Sequence, residues 1–293
     1  MEKIKYRLKG HESFTLREGW ITKGINAVAT DSKLYTINSG ADALGVGTNM
    51  AKSIRYWMKT AGLTTESSSK GVRLTELGDA IKKNDIYVED IFTLWILHAN
   101  IATNFENATS WNLFFNHMDI ISSFERDEMQ QLMKSLLTEY TGEGDHSERS
   151  IKDDCAAILS MYARGGKPSD DPEDKRTSPF EDLGLVGRSG NKYIKKRPAY
   201  DKLDPLVLLY LFIERLNEEG SIQIDFLVEG DNMPGKILNL NRIAVNDYLD
   251  ILGKANYIKV DRTAGLDIIY PQKCREMKKE DVIRNYYSGR NSL

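Results

Sequence analysis

The sequence predicts a mainly α-helical protein in which two winged helix-turn-helix units flank a helical middle domain. Residues 12–83 show the order helix, turn, helix, hairpin and helix that is typical of a winged helix-turn-helix, and the C-terminal part shows a similar order. Apolar residues at helical spacing run through the section between them. We therefore predict an N-terminal winged-helix unit at 1–83, a helical domain at 84–165, a connector at 166–200 and a C-terminal winged-helix-like domain at 201–293.

The composition is that of a globular protein with no membrane segment. The chain has 293 residues, a mean hydropathy of −0.45 and a net charge of −3 from 40 basic and 43 acidic residues. No apolar run reaches the roughly 20 residues that span a bilayer, and no apolar stretch follows the basic N-terminus as it would in a secretion signal. Cys155 and Cys274 are too far apart in sequence for a CxxC zinc site. We expect a cytoplasmic protein without a membrane partner.

The first helix is predicted over residues 18–29, where Trp20 and Ile25 belong to an apolar face at helical spacing. Thr15 is followed three residues later by Glu18, a pattern typical of a capping box at a helix start. The sequence therefore predicts that this pair begins the helix.

A strongly amphipathic helix is predicted over residues 49–61, with Thr48 as its N-cap. One face is apolar, and the other carries Lys, Arg and Tyr without any acid. Such a face can lie in a major groove, where cations meet phosphates and Asn or Arg reaches base edges. The candidate DNA-binding residues on and beside this face are Asn49, Lys52, Ser53, Arg55, Tyr56 and Lys59.

A hairpin and a further helix complete the predicted first unit. Residues 66–71 form a polar tip, residues 72–75 return as a strand, and Thr75 is placed to cap the next helix. The hairpin and the acid-free basic face together favour nucleic-acid binding. Two alternatives stay open, namely a face that is merely solvated and a winged helix that binds protein.

The middle section is predicted to be all-helical, with helices near 88–103, 109–118, 126–137 and 150–162. His98 lies on the apolar stripe of the first of these helices. This position favours a buried core histidine over a catalytic base or a metal ligand.

Charge is sorted along the chain. Residues 143–175 are mostly acidic and polar and contain Gly and Pro, which predicts an acidic connector. Residues 188–202 then carry many cations against one acid, Asp201. We expect the cations of this basic stretch to hold DNA phosphates, and they are Arg188, Lys192, Lys195, Lys196 and Arg197.

The C-terminal unit begins with Asp204 and Pro205, which are typical of an N-cap and a first helical residue. A helix is predicted over 239–252, and residues 257–270 have the pattern of a β-hairpin. Because this helix is less basic than the helix at 49–61, we expect it to contribute less to DNA binding.

Standard catalytic motifs such as GxxxxGK[ST], GxSxG and HExxH are absent. The acidic pairs Glu89-Asp90 and Asp153-Asp154 are expected to be solvated, because adjacent helical residues point apart.

Residues 11–24 are denser in reactive groups and offer a base, a metal ligand and phosphate clamps. An arm followed by a capped helix is the favoured alternative for this segment. Its candidate catalytic residues are His11, Glu12, Arg17, Glu18 and Lys23.

Several ordered segments of the chain resemble signature segments of the SspB family. The likeness extends over roughly the whole chain and is densest before residue 120. The segments are HESFTLREGWITKG at 11–24, LGVGTNM at 44–50 with SIRYW at 53–57, TLWILH at 93–98, and ATSW at 108–111 with FFN at 114–116.

The resemblance implies a DNA-nicking endonuclease of bacterial phage defence, which opens one strand so that sulfur can replace a non-bridging phosphate oxygen. It implies work beside a cysteine desulfurase, an ATPase and an ATP-pyrophosphatase-like sulfur-transfer protein. Phosphodiester hydrolysis builds negative charge in the transition state, so we expect a divalent metal, Mg or Mn, beside Arg or Lys if the protein nicks.

Two other classes of function stay open. One is a non-catalytic DNA-binding adaptor or regulator that recruits DNA-modification enzymes, and the other is a protein-interaction scaffold. A homodimer is compatible with either DNA-binding hypothesis, because winged-helix proteins often read two half-sites.

Overall fold

The computed structural model describes residues 4–118, 123–163 and 178–290. Over these residues the chain is mainly helical with short antiparallel strands, as the sequence predicts. It separates into two compact units, Met1–Lys196 and Arg197–Leu293. The predicted boundaries at 83 and 165 stay predictions. Within the described ranges, no helix combines the length and apolar character needed to cross a membrane.

The first unit begins with an irregular arm, which is followed by helices and a hairpin. The helix α1 packs against α3 and α4, so one side of α3 is covered and the other faces solvent. The hairpin strands are antiparallel, with Thr64 opposite Leu74. The elements are α1 (Trp20–Thr30), α2 (Ala41–Leu44), α3 (Thr48–Thr60), β1 (Thr64–Ser67), β2 (Gly71–Leu74) and α4 (Glu76–Asn84).

A glycine starts α1, and the predicted capping box is wrong. Gly19 is the N-cap with φ at 78°, no side chain bonds to the cap, and the helix begins at Trp20. This left-handed backbone, which glycine adopts without strain, interrupts the helical path and leaves Thr15 and Glu18 outside the helix. The predicted cap at Thr75 is confirmed, since its hydroxyl accepts a hydrogen bond from a backbone N–H of α4.

Buried helices fill the rest of the first unit. The helix α5 is apolar on nearly every side and lies inside the unit. His98 of α5 is fully buried, and its Nδ1 lies 2.9 Å from Tyr162 Oη, which confirms the core interpretation of this histidine. The helices are α5 (Ile91–Thr103), α6 (Thr109–Asn116), α7 (Arg126–Thr141) and α8 (Glu148–Tyr162).

The first part of the basic stretch, up to Lys196, belongs to the first unit and contributes to a hairpin. Strands β3 (Val186–Ser189) and β4 (Lys192–Lys195) pair antiparallel. The backbones of Phe124 and Tyr193 exchange two hydrogen bonds of 2.8 Å, which ties the hairpin to the segment before α7. The stretch predicted as an acidic connector contains α8, and its residues 164–175 lie outside the described residues.

The second unit combines helices with a small sheet. Asp204 caps its first helix by accepting a hydrogen bond from Leu206 N, and Pro205 stands in the first turn, as predicted. The strands pair in the order β5, β7, β6. The elements are α9 (Pro205–Glu219), β5 (Ile222–Gln223), α10 (Ile224–Glu229), α11 (Pro234–Ile237), α12 (Arg242–Lys254), β6 (Ile258–Asp261), β7 (Ile268–Pro271) and α13 (Lys279–Arg290).

Candidate nucleic-acid interface

The solvent face of α3 is basic. Its opposite face buries Ile54, Trp57 and Met58, all at 1% exposure or less, and this burial fixes the rotation of the helix. Besides Thr48 in the first turn, the polar residues that remain exposed are one amide and three cations, without an acid between them. They are Asn49, Lys52, Arg55 and Lys59.

A cavity of about 380 Å³ opens beside this face, and we call it the basic cavity. Four cations and two carboxylates border it, so its surface favours a negatively charged ligand. The lining residues are Arg7, Gly10, Glu12, Ser39, Lys52, Arg55, Tyr56, Lys59 and Glu66.

The N-terminal arm supplies one wall of the basic cavity. The backbone N–H of Arg7 donates to Thr109 Oγ1 at 2.9 Å, and the guanidinium lies 5.4 Å from the centre of the Tyr56 ring. A Cβ at Gly10 would lie 2.3 Å from that ring, so only glycine permits this close approach. Glu12 holds a left-handed backbone with φ at 50° in the turn that follows. These contacts place Arg7 and Glu12 beside the cations of α3.

Asp154 of α8 anchors the arm from inside the unit. Its side chain is 2% exposed and accepts hydrogen bonds from the Lys9 backbone N–H at 2.9 Å and from Ser110 Oγ at 2.6 Å. His11 Nε2 lies 2.9 Å from the same carboxylate, and the imidazole stacks on Trp57. His11 is fully buried and therefore holds the arm in place rather than facing the basic cavity.

The expectation that both acidic pairs are solvated is wrong for Asp90, which is buried and caps α5 by accepting a hydrogen bond from Phe92 N, and for Asp154. Asp153 and Asp154 do point apart, but only Asp153 points outward, where it forms a 2.6 Å ion pair with Lys9. This hydrogen-bonded pair lowers the pKa of Asp153. The buried stripe of Ile151, Cys155 and Ile158 on α8 is the signal that could have identified Asp154 as an inward position.

The other candidate catalytic residues make contacts in different places. Glu12 borders the basic cavity, whereas Glu18 is exposed in the turn before α1. The Arg17 guanidinium lies 5.7 Å from the centre of the Phe14 ring and 5.6 Å from that of Trp20. Lys23 Nζ donates to the Leu44 carbonyl at 3.3 Å. Of the five candidates, Glu12 is the one placed beside the cations of α3.

Two of the candidate DNA-binding residues on α3 are buried. Ser53 is fully buried and donates to the Phe14 carbonyl at 3.2 Å, so its hydroxyl is directed into the unit. Tyr56 is 5% exposed, and burial raises the pKa of its hydroxyl. The amphipathic pattern predicts Tyr56 on the basic face and Ser53 beside it, so the face presented to solvent is narrower than predicted.

The cations of the basic stretch have different surroundings. Lys195 Nζ donates to the Phe114 carbonyl at 3.0 Å and reaches two further carbonyls at the end of α6, where a cation offsets the helix dipole. Arg188 Nε donates to the Gly190 carbonyl at 3.0 Å in its own turn. Lys192 and Lys196 are exposed, and Arg197, at the start of the second unit, donates to Asn241 Oδ1 at 3.3 Å.

Arg55 and Glu66 form a two-point contact that no local sequence pattern predicts. Arg55 Nε and Nη2 donate to the two carboxylate oxygens at 2.8 Å and 2.5 Å, and these hydrogen bonds lower the pKa of Glu66. The guanidinium also lies 4.9 Å from the centre of the Tyr35 ring. Burial raises the pKa of the Tyr35 hydroxyl.

The side chains of the described residues do not form the ligand set of a divalent metal. They contain no group of three His, Cys, Asp or Glu placed to hold a metal ion. The basic cavity has two carboxylates, and Glu66 already accepts hydrogen bonds from Arg55. The residues therefore do not fit a preformed metal centre.

Comparison with known proteins shows the fold. A magnesium ion-bound SspB crystal structure is similar with a TM-score of 0.84 and 22% sequence identity, over 98% of this chain and 89% of that one. A second SspB crystal structure is similar with a TM-score of 0.82 and the same identity and coverage. The resemblance to SspB expected from the sequence segments is thus confirmed for the fold. No curated protein sequence matches the chain.

A family of proteins of unknown function, DUF4007, matches residues 8–287, and the chain belongs to this family.

Proposed function

We propose that this protein binds DNA by holding backbone phosphates in the basic cavity. The observation that carries the proposal is the convergence of Arg7, Lys52, Arg55 and Lys59 around one cavity of about 380 Å³. Exposed cations on a helix and an adjoining arm are the usual means of phosphate binding, and Asn49 at the start of α3 can reach a base edge.

The order of elements in the first unit supports this mode of binding. Helices α1 to α3 are followed by the hairpin of β1 and β2, and in a winged helix-turn-helix the third helix enters the major groove. The second unit has a comparable order, but Asp247 and Asp250 are exposed on α12. We therefore assign the main DNA contact to α3.

We further propose that the protein takes part in DNA phosphorothioation by nicking one strand. The SspB-like fold and the ordered sequence segments support this role, with a cysteine desulfurase and an ATP-pyrophosphatase-like protein as partners. In strand scission, Arg7, Lys52 and Lys59 would stabilise the charge that develops on the attacked phosphate. Glu12, the candidate catalytic carboxylate at the cavity, would accept the proton of the attacking water as its oxygen bonds to phosphorus. The P–O ester bond would break, and the leaving sugar oxygen would take a proton from solvent.

A divalent cation belongs to this proposal because one solved SspB is magnesium ion-bound. The described residues do not fit a preformed metal centre, so no step is assigned to the cation. The plasmid assay below therefore tests Mg²⁺ and Mn²⁺ separately.

A non-catalytic adaptor that recruits DNA-modification enzymes is the second candidate. Two observations favour it, namely the burial of His11 against Asp154 and the lack of a three-ligand metal group among the described residues. Under both candidate functions DNA binds in the basic cavity, but an adaptor leaves the phosphodiester bond intact.

Conversion of supercoiled plasmid to open circle separates the two candidates. The wild type is incubated with Mg²⁺ or Mn²⁺, with EDTA as the no-metal control, and binding of the same plasmid is followed by gel shift. If the protein is a nickase, wild type converts the plasmid to open circle and Glu12→Gln does not. The control Glu89→Gln changes an exposed acid outside the cavity and should retain the conversion. Shifted but uncut plasmid supports the adaptor. No shift at low salt contradicts DNA binding itself.

A further inference from the structure

The hydrogen-bonding edge of Arg55 is already occupied in the structure. Its Nε and Nη2 donate side by side to Glu66 of β1, while the face of the guanidinium lies over the Tyr35 ring. A guanidinium presents the same donor fork to a carboxylate and to a phosphate. A phosphate that reaches this edge must therefore displace Glu66.

The cations around Glu66 make its competition with a phosphate important for the affinity of the basic cavity. Lys59 and Arg7 act on the Glu66 carboxylate together with Arg55, and all three cations border the basic cavity. The carboxylate thus lies near three cations of the cavity and reduces their attraction for an external anion.

The solvent exposure of the pair allows exchange. The Arg55 side chain is 44% exposed and that of Glu66 is 23% exposed, so water and ligand can reach the contact. Exposed ion pairs of this kind are weak, so the contact is small beside the sum of several phosphate contacts. The contact is strong enough to shift affinity and weak enough to open on binding.

We propose that Glu66 competes with a DNA phosphate for Arg55 and thereby limits the affinity of the basic cavity for DNA. This inference rests on the proposed DNA binding. It assigns control of the DNA affinity to Glu66, a residue of the hairpin. Removal of the Glu66 charge exposes the Arg55 fork to phosphate, so affinity increases although a contact of the free protein is lost.

The test is a fluorescence anisotropy titration of a short labelled duplex, in EDTA and at several salt concentrations. The proteins are wild type, Glu66→Gln, Arg55→Ala and the double variant Arg55→Ala/Glu66→Gln. Glu12→Gln is the matched control, because it removes one negative charge from the same cavity without touching Arg55. Thermal unfolding of each protein, and of Glu66→Ala as a second variant, checks the fold.

We expect Glu66→Gln to bind about fivefold more tightly than wild type and to steepen the salt dependence by about one phosphate contact. We expect Glu12→Gln to increase the affinity for DNA less than Glu66→Gln does. When Arg55 is replaced by Ala, Glu66→Gln should increase the affinity by no more than Glu12→Gln does. Unchanged or weaker binding by Glu66→Gln, or an equal gain without Arg55, overturns the inference but leaves DNA binding intact. Absence of binding by every protein overturns both.

Discussion

Asp154 lies 2.9 Å from His11 across 143 residues of sequence, and both side chains are buried. The same carboxylate accepts the Lys9 backbone N–H and the Ser110 hydroxyl. One residue of α8 therefore fixes the arm that carries Arg7 and lines the basic cavity.

This network predicts a large loss of stability on substitution of Asp154. Asp154→Ala leaves the buried His11 and Ser110 without their acceptor, which costs about 1–3 kcal/mol of unfolding free energy for each buried donor left unsatisfied. Chemical denaturation followed by circular dichroism measures the change. Asp153→Ala is the matched control on the same helix, and because its ion pair with Lys9 is partly exposed we expect a loss of at most about 1 kcal/mol. Equal effects of the two variants would show that the network does not anchor the arm.

Lys195 is predicted to matter more for stability than for DNA binding. Its ammonium bonds to carbonyls at the end of α6, so Lys195→Met leaves those carbonyls without a donor and costs about 1–3 kcal/mol. Lys192→Met removes an exposed cation from the same strand and should leave the unfolding free energy within about 0.5 kcal/mol. Denaturation and anisotropy of both variants check this. A loss of DNA affinity in Lys195→Met without a loss of stability would contradict the assignment.

The Arg55 and Glu66 pair predicts a pH dependence of stability. Hydrogen bonds from Arg55 lower the pKa of Glu66 in the folded protein. The stabilisation is therefore complete above the unfolded pKa of about 4.3 and is lost as the pH falls through the lower folded pKa. Wild type should exceed Glu66→Gln by at most about 1 kcal/mol at pH 7, and this difference should shrink in acid. Denaturation at pH 7 and near the acid limit of folding measures it. A difference that grows in acid has the wrong sign for this account.

Local patterns in the sequence were sufficient for several elements. The amphipathic spacing of α3 predicts its limits to within one residue and most of its buried face, because the pattern and the helix extend over the same few residues. The N-cap is Gly47 and not Thr48, and Ser53 and Tyr56 are buried as well. The Asp204 and Pro205 start of α9 is likewise encoded by adjacent residues. Gly19 shows where a local rule fails, since the left-handed backbone of one glycine overrides a matching capping box.

The contacts that build the candidate site join distant parts of the chain, which local patterns cannot specify. Asp154 reaches His11, and Lys195 reaches the end of α6 about 80 residues earlier. Glu66 is closer to Arg55 in sequence, but the pair depends on how the hairpin folds against α3. Arg7 joins the cavity only because the arm is held by α6 and α8. Charge alone therefore identified the face of α3 but not the cavity beside it.

The salt dependence of DNA binding tests the central claim most directly. Wild type and Lys52→Ala/Lys59→Ala are titrated with the same labelled duplex over a series of salt concentrations, with Lys82→Ala/Lys83→Ala, which removes two exposed cations of α4, as the matched control. The account predicts that wild-type affinity falls steeply with salt, and that loss of Lys52 and Lys59 weakens binding and lowers the log–log slope by about two. The control should behave as wild type. Salt-independent binding, or an equal loss in both double variants, would contradict the claim that the basic cavity binds DNA.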